Sequence, residues 1–131
     1  MDLVAPPDIE SAAYALLQAA LPDAHVGTRY PSGANEPAEV VRLSTTGGDV
    51  TNLVLASARL LVECWADDEA DAWRLAATAH AHLCEASGEY AGVTIYRAVA
   101  DLPVNYPDVN RANRFRFQFL ATIYARMEAL S

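Results

Sequence analysis

The chain has 131 residues, is 53% hydrophobic, and carries a net charge of −8 from 17 acidic residues against nine arginines, with no lysine. That length suits one domain with a single core, and the hydrophobic content excludes a disordered chain. The acidic balance argues against holding DNA or RNA by phosphate neutralisation, and the lack of lysine excludes Schiff-base chemistry and a phosphate-gripping P-loop lysine. No apolar run is long enough for a membrane span, and MDLVAPPDIES has neither the basic region nor the apolar core of a signal peptide.

Residues 1–7 read as a loose arm. Asp8 is placed to cap a first helix, Ile9 to about Leu21, in which Ile9, Ala12, Ala13, Leu16, Leu17 and Ala20 share one face; Pro22 ends it. His25 to Tyr30 reads as a short strand, followed by a surface loop, PSGANEP. Glu39 to Thr45 alternates as a strand, and Thr46-Gly47-Gly48-Asp49 carries the glycines of a tight turn. Val50 to Leu55 is then either a strand extension or an exposed loop.

The next strand, Ala58 to Trp65, sets Leu60, Val62 and Cys64 against Arg59, Leu61, Glu63 and Trp65 on the other face. It runs without a linker into a helix whose start, Asp67-Asp68-Glu69, caps free amides and suits the positive end of the helix dipole. Asp67, Asp71, Arg74, Thr78, His82 and Glu85 fall on one polar stripe of that helix. The rest is mainly Ala, Leu, Trp and Cys, more apolar surface than one sheet needs. Gly88 to Gly92 reads as the helix exit.

Val93 to Val99 is a further strand, and Asn113 to Arg126 the clearest one. Its Phe115, Phe117, Phe119, Ala121, Ile123 and Ala125 form a core-facing row, and so long an alternation should reach beyond its own sheet. Between these strands, DLPVNYPDVNRAN is an extended arm that doubles back. The order α-β-β-β-α-β-β predicts an α+β domain over residues 1–131: a mainly antiparallel sheet of four to five strands with two helices packed on one face.

No catalytic signature occurs. His80 and His82 are about 200° apart on the helix and cannot share a metal, and His80 is expected as a hydrogen-bonded core residue. The Asp67–Asp71 acids lack a calcium-loop spacing and are accounted for as caps. Cys64 and Cys84 lack metal-type spacing and are expected as buried free thiols. No catalytic, cofactor-binding or metal site is assigned. Tyr96, Tyr106 and Tyr124 sit beside polar groups, and a sheet apolar on both faces needs a second cover, expected in so small a domain to be another subunit.

A leading helix after a PD cap, then VGTRYP, EVVRLSTTGG, the ARLLVECWADDEADAWRLA block, GVTIYRA, DLPVNYPD and the final RFRFQFLATIYAR strand together resemble the tail-terminator (tail-completion) proteins of long-tailed phages infecting actinobacteria, from Asp8 to Arg126. The resemblance implies a hexameric ring that caps the head-proximal end of the tail tube in the virion, assembled in the host cytoplasm. Its partners would be its own copies, the tail-tube protein ring and a neck or connector protein, with DNA passing through an acidic lumen without specific binding, and with no membrane and no cofactor. It makes the Gly47–Leu55 loop, with Asp49, Asn52, Leu53 and Val54, and the 101–113 arm, with Asn105, Tyr106 and Arg111, candidates for contact between rings. Asp67, Asp71 and Arg74 become candidates for subunit contact or outer surface. Rival readings are another head–tail connector or adaptor, or a small ligand-binding domain or enzyme.

Overall fold

The computed structural model describes residues 3–33 and 36–130. Asp8 caps the first helix, α1 (Ile9–Ala20), as expected: its carboxylate accepts from the Ser11 N–H at 3.1 Å and the Ser11 hydroxyl at 2.7 Å. The Leu21 N–H donates to the Leu17 carbonyl, closing the helix before Pro22. The second helix, α2 (Glu69–Cys84), starts at Asp68, whose side chain accepts from the Ala70 and Asp71 amides.

Strands make up 46% of the described residues and overturn the expected sheet. In chain order they are β1 (Leu3–Ala5), β2 (His25–Gly27), β3 (Glu39–Val50), β4 (Leu55–Ala66), β5 (Gly88–Tyr90), β6 (Val93–Ala100), β7 (Val104–Asn105), β8 (Phe115–Arg126) and β9 (Glu128–Leu130). Instead of a mainly antiparallel sheet of four to five strands, a curled, mixed sheet of seven forms in the order β2-β3-β4-β8-β6-β5, with β7 also on β8. It is mixed because β2 runs parallel to β3, whereas the other pairings are antiparallel. The unforeseen strands β1, β5, β7 and β9 have two or three residues each, too few to show a period.

Three local expectations change with this. Leu3–Ala5, within the supposed loose arm, pair with Glu128–Leu130 in a separate two-stranded sheet. Gly88–Tyr90 are a strand on β6 and not just a helix exit. The Thr46–Asp49 turn is a β-bulge inside β3: Thr45 faces Leu60 and Gly47 faces Arg59, leaving Thr46 as the extra residue. Gly47 and Gly48 have φ of +122° and +153°, and a Cβ on Gly48 would collide with the Ser57 carbonyl oxygen of the facing strand. Gly48 therefore serves close backbone approach, and Gly47 supplies the positive φ of the bulge. The chain reverses at residues 51–54, where Asn52 Oδ1 accepts from the Val54 and Leu55 amides at 2.8 and 2.9 Å.

The core lies between the helices and one face of the long strands. Leu60, Val62 and Cys64 from β4 meet Val41 and Leu43 from β3, Phe117 to Ala125 at alternate positions of β8, and Leu75, Ala79 and Leu83 from α2. Each buried Leu or Ile contributes roughly 2 kcal/mol. Two residues leave the expected pattern. Phe115, at the sheet end, is 41% exposed, and Cys84, at the end of α2, is exposed, so only Cys64 is a buried thiol.

Candidate interaction surface

The face of the sheet turned away from the core carries Arg42 from β3, Arg59 to Trp65 at odd positions of β4, and Arg116 to Arg126 at even positions of β8. Its two ends differ. At the end where β4 meets α2, the chain covers its own sheet. The 101–113 arm, tied to β8 through β7, crosses the sheet face and buries Trp65 completely. The Trp65 indole N–H donates to Asp108 Oδ2 at 3.1 Å, and the Tyr30 ring meets Trp65 edge-on at 4.9 Å. The Arg111 guanidinium lies 3.5 Å from the Tyr30 ring centre and donates to Asp108 at 3.2 Å.

Beside this stack, buried Glu63 accepts two hydrogen bonds from Arg42, at 2.8 and 3.0 Å, and one from Arg116 at 3.0 Å. Arg116 also donates to the Tyr106 carbonyl at 2.8 Å, which fastens the arm to the sheet. Arg114 is buried, with Glu36 and the Ala38 carbonyl accepting from it at 3.0 and 2.8 Å. Its Nε stands 3.3 Å from Asp67 Oδ1, but off the line of the N–H, so the contact is an ion pair without a hydrogen bond.

Charge in this cluster follows from its donors. Burial works to raise the Asp108 pKa, but the Asn110 amide, the Trp65 indole and Arg111 outweigh it and leave the carboxyl below its ordinary range. Glu36 is likewise lowered, chiefly by the Tyr30 hydroxyl that donates to it at 2.8 Å. Tyr30 is raised, by burial first and then by that same bond. Burial pushes the Cys64 thiol up, out of reach of thiolate chemistry. The His80 ring takes its expected place: Nε2 is 3.3 Å from the Ala100 carbonyl oxygen, and the ring packs against Phe119.

The other end of the same face is bare. Leu61 pairs with Leu120, Arg59 and Val99 both flank Thr122, and Leu55 pairs with Arg126. Leu120 and Val99 are 39% and 46% exposed. Arg59, Arg97 and Arg126 are exposed, and among the described residues none of them forms an ion pair. Arg97 stacks over the Tyr124 ring at 4.3 Å. Next to it lies a shallow hollow of about 440 Å³ lined by Asn52, Val54, Leu55, Tyr96, Arg97 and Tyr124.

The residues singled out from sequence therefore separate into groups. Asn52, Leu53 and Val54 form the exposed tip of the β3–β4 hairpin, with Asp49 just before it, opposite Ser57. Asp67, Asn105, Tyr106 and Arg111 gather at the opposite, covered end. There Asn105 donates to Glu69 at 3.0 Å, and Arg111 is bound within its own chain to Asp108 and Tyr30. Asp71 and Arg74 pair with each other on the solvent side of α2 at 3.0 Å. The bare arginine face was not singled out. Each of its residues reads as an outward position, but their meeting depends on the register of β4, β6 and β8.

No protein-family model and no curated protein matches this chain. Among solved structures, a chain of the virion of a native gene transfer agent particle is similar in fold, with a TM-score of 0.56 over 88% of this chain and 84% of its own, at 18% identity. At that identity the likeness is one of fold.

Proposed function

We propose that this chain is a virion structural protein. In this reading its copies form a ring, expected to be a hexamer, that caps the head-proximal end of a tail tube, ends tube growth and joins the tail to the neck. The observation that carries the reading is the fold likeness to a gene transfer agent virion chain over most of both lengths. The sequence resemblance to tail terminators, a separate observation, points the same way and supplies the finer role.

The layout of the domain supports it. The twelve-residue strand β4 separates the hairpin tip from the arm-covered end by about 40 Å. A ring subunit that meets the tube on one side and the neck on the other needs two such poles. The acidic balance suits a lumen that DNA passes without sticking.

The test is to add the purified chain to tube protein under conditions where tubes grow. The reading expects shorter tubes with extra density at one end only. Tubes of unchanged length with bare ends, or binding to a portal ring instead, would count against a terminator; the second outcome would favour an adaptor.

A further inference from the structure

The bare half of the outer sheet face holds three guanidinium groups that form no ion pair among the described residues, in a chain of net charge −8. At the covered half of the same face every arginine has a carboxylate: Arg42 and Arg116 have Glu63, and Arg111 has Asp108. A protein with so many carboxylates has ample means to pair Arg59, Arg97 and Arg126 internally, yet among the described residues none forms an ion pair with them. Resting on the ring reading above, we infer that this half-face is where a second copy of the chain docks, its carboxylates meeting these arginines.

Three observations select that occupant. The first is charge complementarity. Asp23, between α1 and β2, and Glu85, which caps the end of α2, are exposed and, among the described residues, form no ion pair, so a neighbouring copy brings the missing acids. The second is the centre of the patch, where Leu120 and Val99 stand exposed beside Leu61. Apolar side chains between charges suit a protein surface, with an apolar centre and a polar rim, and offer nothing to a phosphate backbone. The third is long-range charge. The net −8 repels a polyanion before three arginines could hold it, so DNA is the weaker occupant.

The contact has a defined symmetry. Basic face and acidic surface are different patches of one chain, so the contact is heterologous and propagates from copy to copy until it closes into a ring. The hollow beside Arg97 and Tyr124 can receive one side chain of the neighbour and would bring Asn52 and Val54 of the hairpin into the same contact.

The test is sedimentation of the full chain at low and high salt, comparing wild type with Arg59→Gln/Arg97→Gln/Arg126→Gln, each checked for folding by circular dichroism. The wild type is expected to assemble at low salt and to loosen at high salt. The folded triple variant should assemble about tenfold or more weakly, from three exposed pairs lost together. Should the triple variant fail to fold, Arg59→Gln and Arg126→Gln singly must each show a smaller loss in the same direction. A variant that assembles as well as wild type overturns this docking face and leaves the ring reading standing. A wild type that stays monomeric at every salt concentration overturns both. A wild type that binds duplex DNA, through arginines that the variant lacks, while assembly is unchanged, assigns the face to nucleic acid and also overturns the inference.

Discussion

The two ends of the outer sheet face are made from the same materials and finished in opposite ways. Around Trp65, arginines, carboxylates and aromatic rings close on one another beneath a loop of the same chain, and Glu63 is only 3% exposed. Around Tyr124, arginines and apolar side chains lie open, and among the described residues these arginines form no ion pair. Buried ion pairs are costly to desolvate and hold only when each charge is satisfied, so the first end is a self-sufficient fastening. Exposed, unmatched arginines cost a monomer little and gain a partner when another surface arrives. One end holds the chain together; the other is the face proposed for a second copy.

Substitutions should break that contrast by size of effect on stability. Glu63→Ala removes the acceptor shared by Arg42 and Arg116 and leaves buried positive charge, so urea unfolding should show a loss of about 3–5 kcal/mol. Gly48→Ala forces a Cβ into the facing backbone at the bulge and should cost about 2 kcal/mol, with hydrogen exchange rising in the hairpin and not around Trp65. Trp65→Phe keeps an aromatic ring but makes it smaller and loses the bond to Asp108, and should cost about 2 kcal/mol in the same assay.

Asp108 adds a pH signature. Its folded pKa lies below the ordinary value of 3.8, so the unfolded chain takes up the proton first as the solution is acidified. The stability it gives is complete at neutral pH and is lost as pH falls below about 4 towards the lower folded pKa. The stability gap between wild type and Asp108→Asn should therefore be widest at neutral pH and narrow in acid. At the bare end, Arg59→Gln should change stability by no more than about 0.5 kcal/mol while still weakening self-association. If instead the bare-end change destabilised as much as Glu63→Ala, the contrast between the ends would be lost.

What could be read from sequence follows the length of the pattern. Both helices show in a dozen or more periodic residues, the first with its Asp8 cap and the second with a cap within Asp67-Asp68-Glu69, and the alternation of β4 and β8 assigns the two faces of Trp65 and Cys64 correctly. Strands of two or three residues carry no period, so β1, β5, β7 and β9, and with them the true extent of the sheet, stay invisible. The parallel pairing of β2 with β3 is a long-range choice that no local signal encodes. Gly47-Gly48 is ambiguous in principle, because a turn and a bulge ask for the same freedom of φ.

The same limit applies to the surface. Sequence places Glu63 and Trp65 on the outer face but cannot say that the 101–113 arm folds back over them. Arg111, a candidate contact between rings, is bound by Asp108 and Tyr30 of its own chain. Arg59, Arg97 and Arg126 are far apart in the chain and become a single patch only through strand register.

The proposed function is most directly tested by a cryo-electron microscopy reconstruction of virion particles from cells that produce this chain, with the chain sought by fitting its fold into the density. The account predicts a closed ring of copies between the tail tube and the neck, the hairpin tip and the arm-covered end at its two axial poles. Finding the chain in single copies, in the capsid shell, or nowhere in the particle would contradict it.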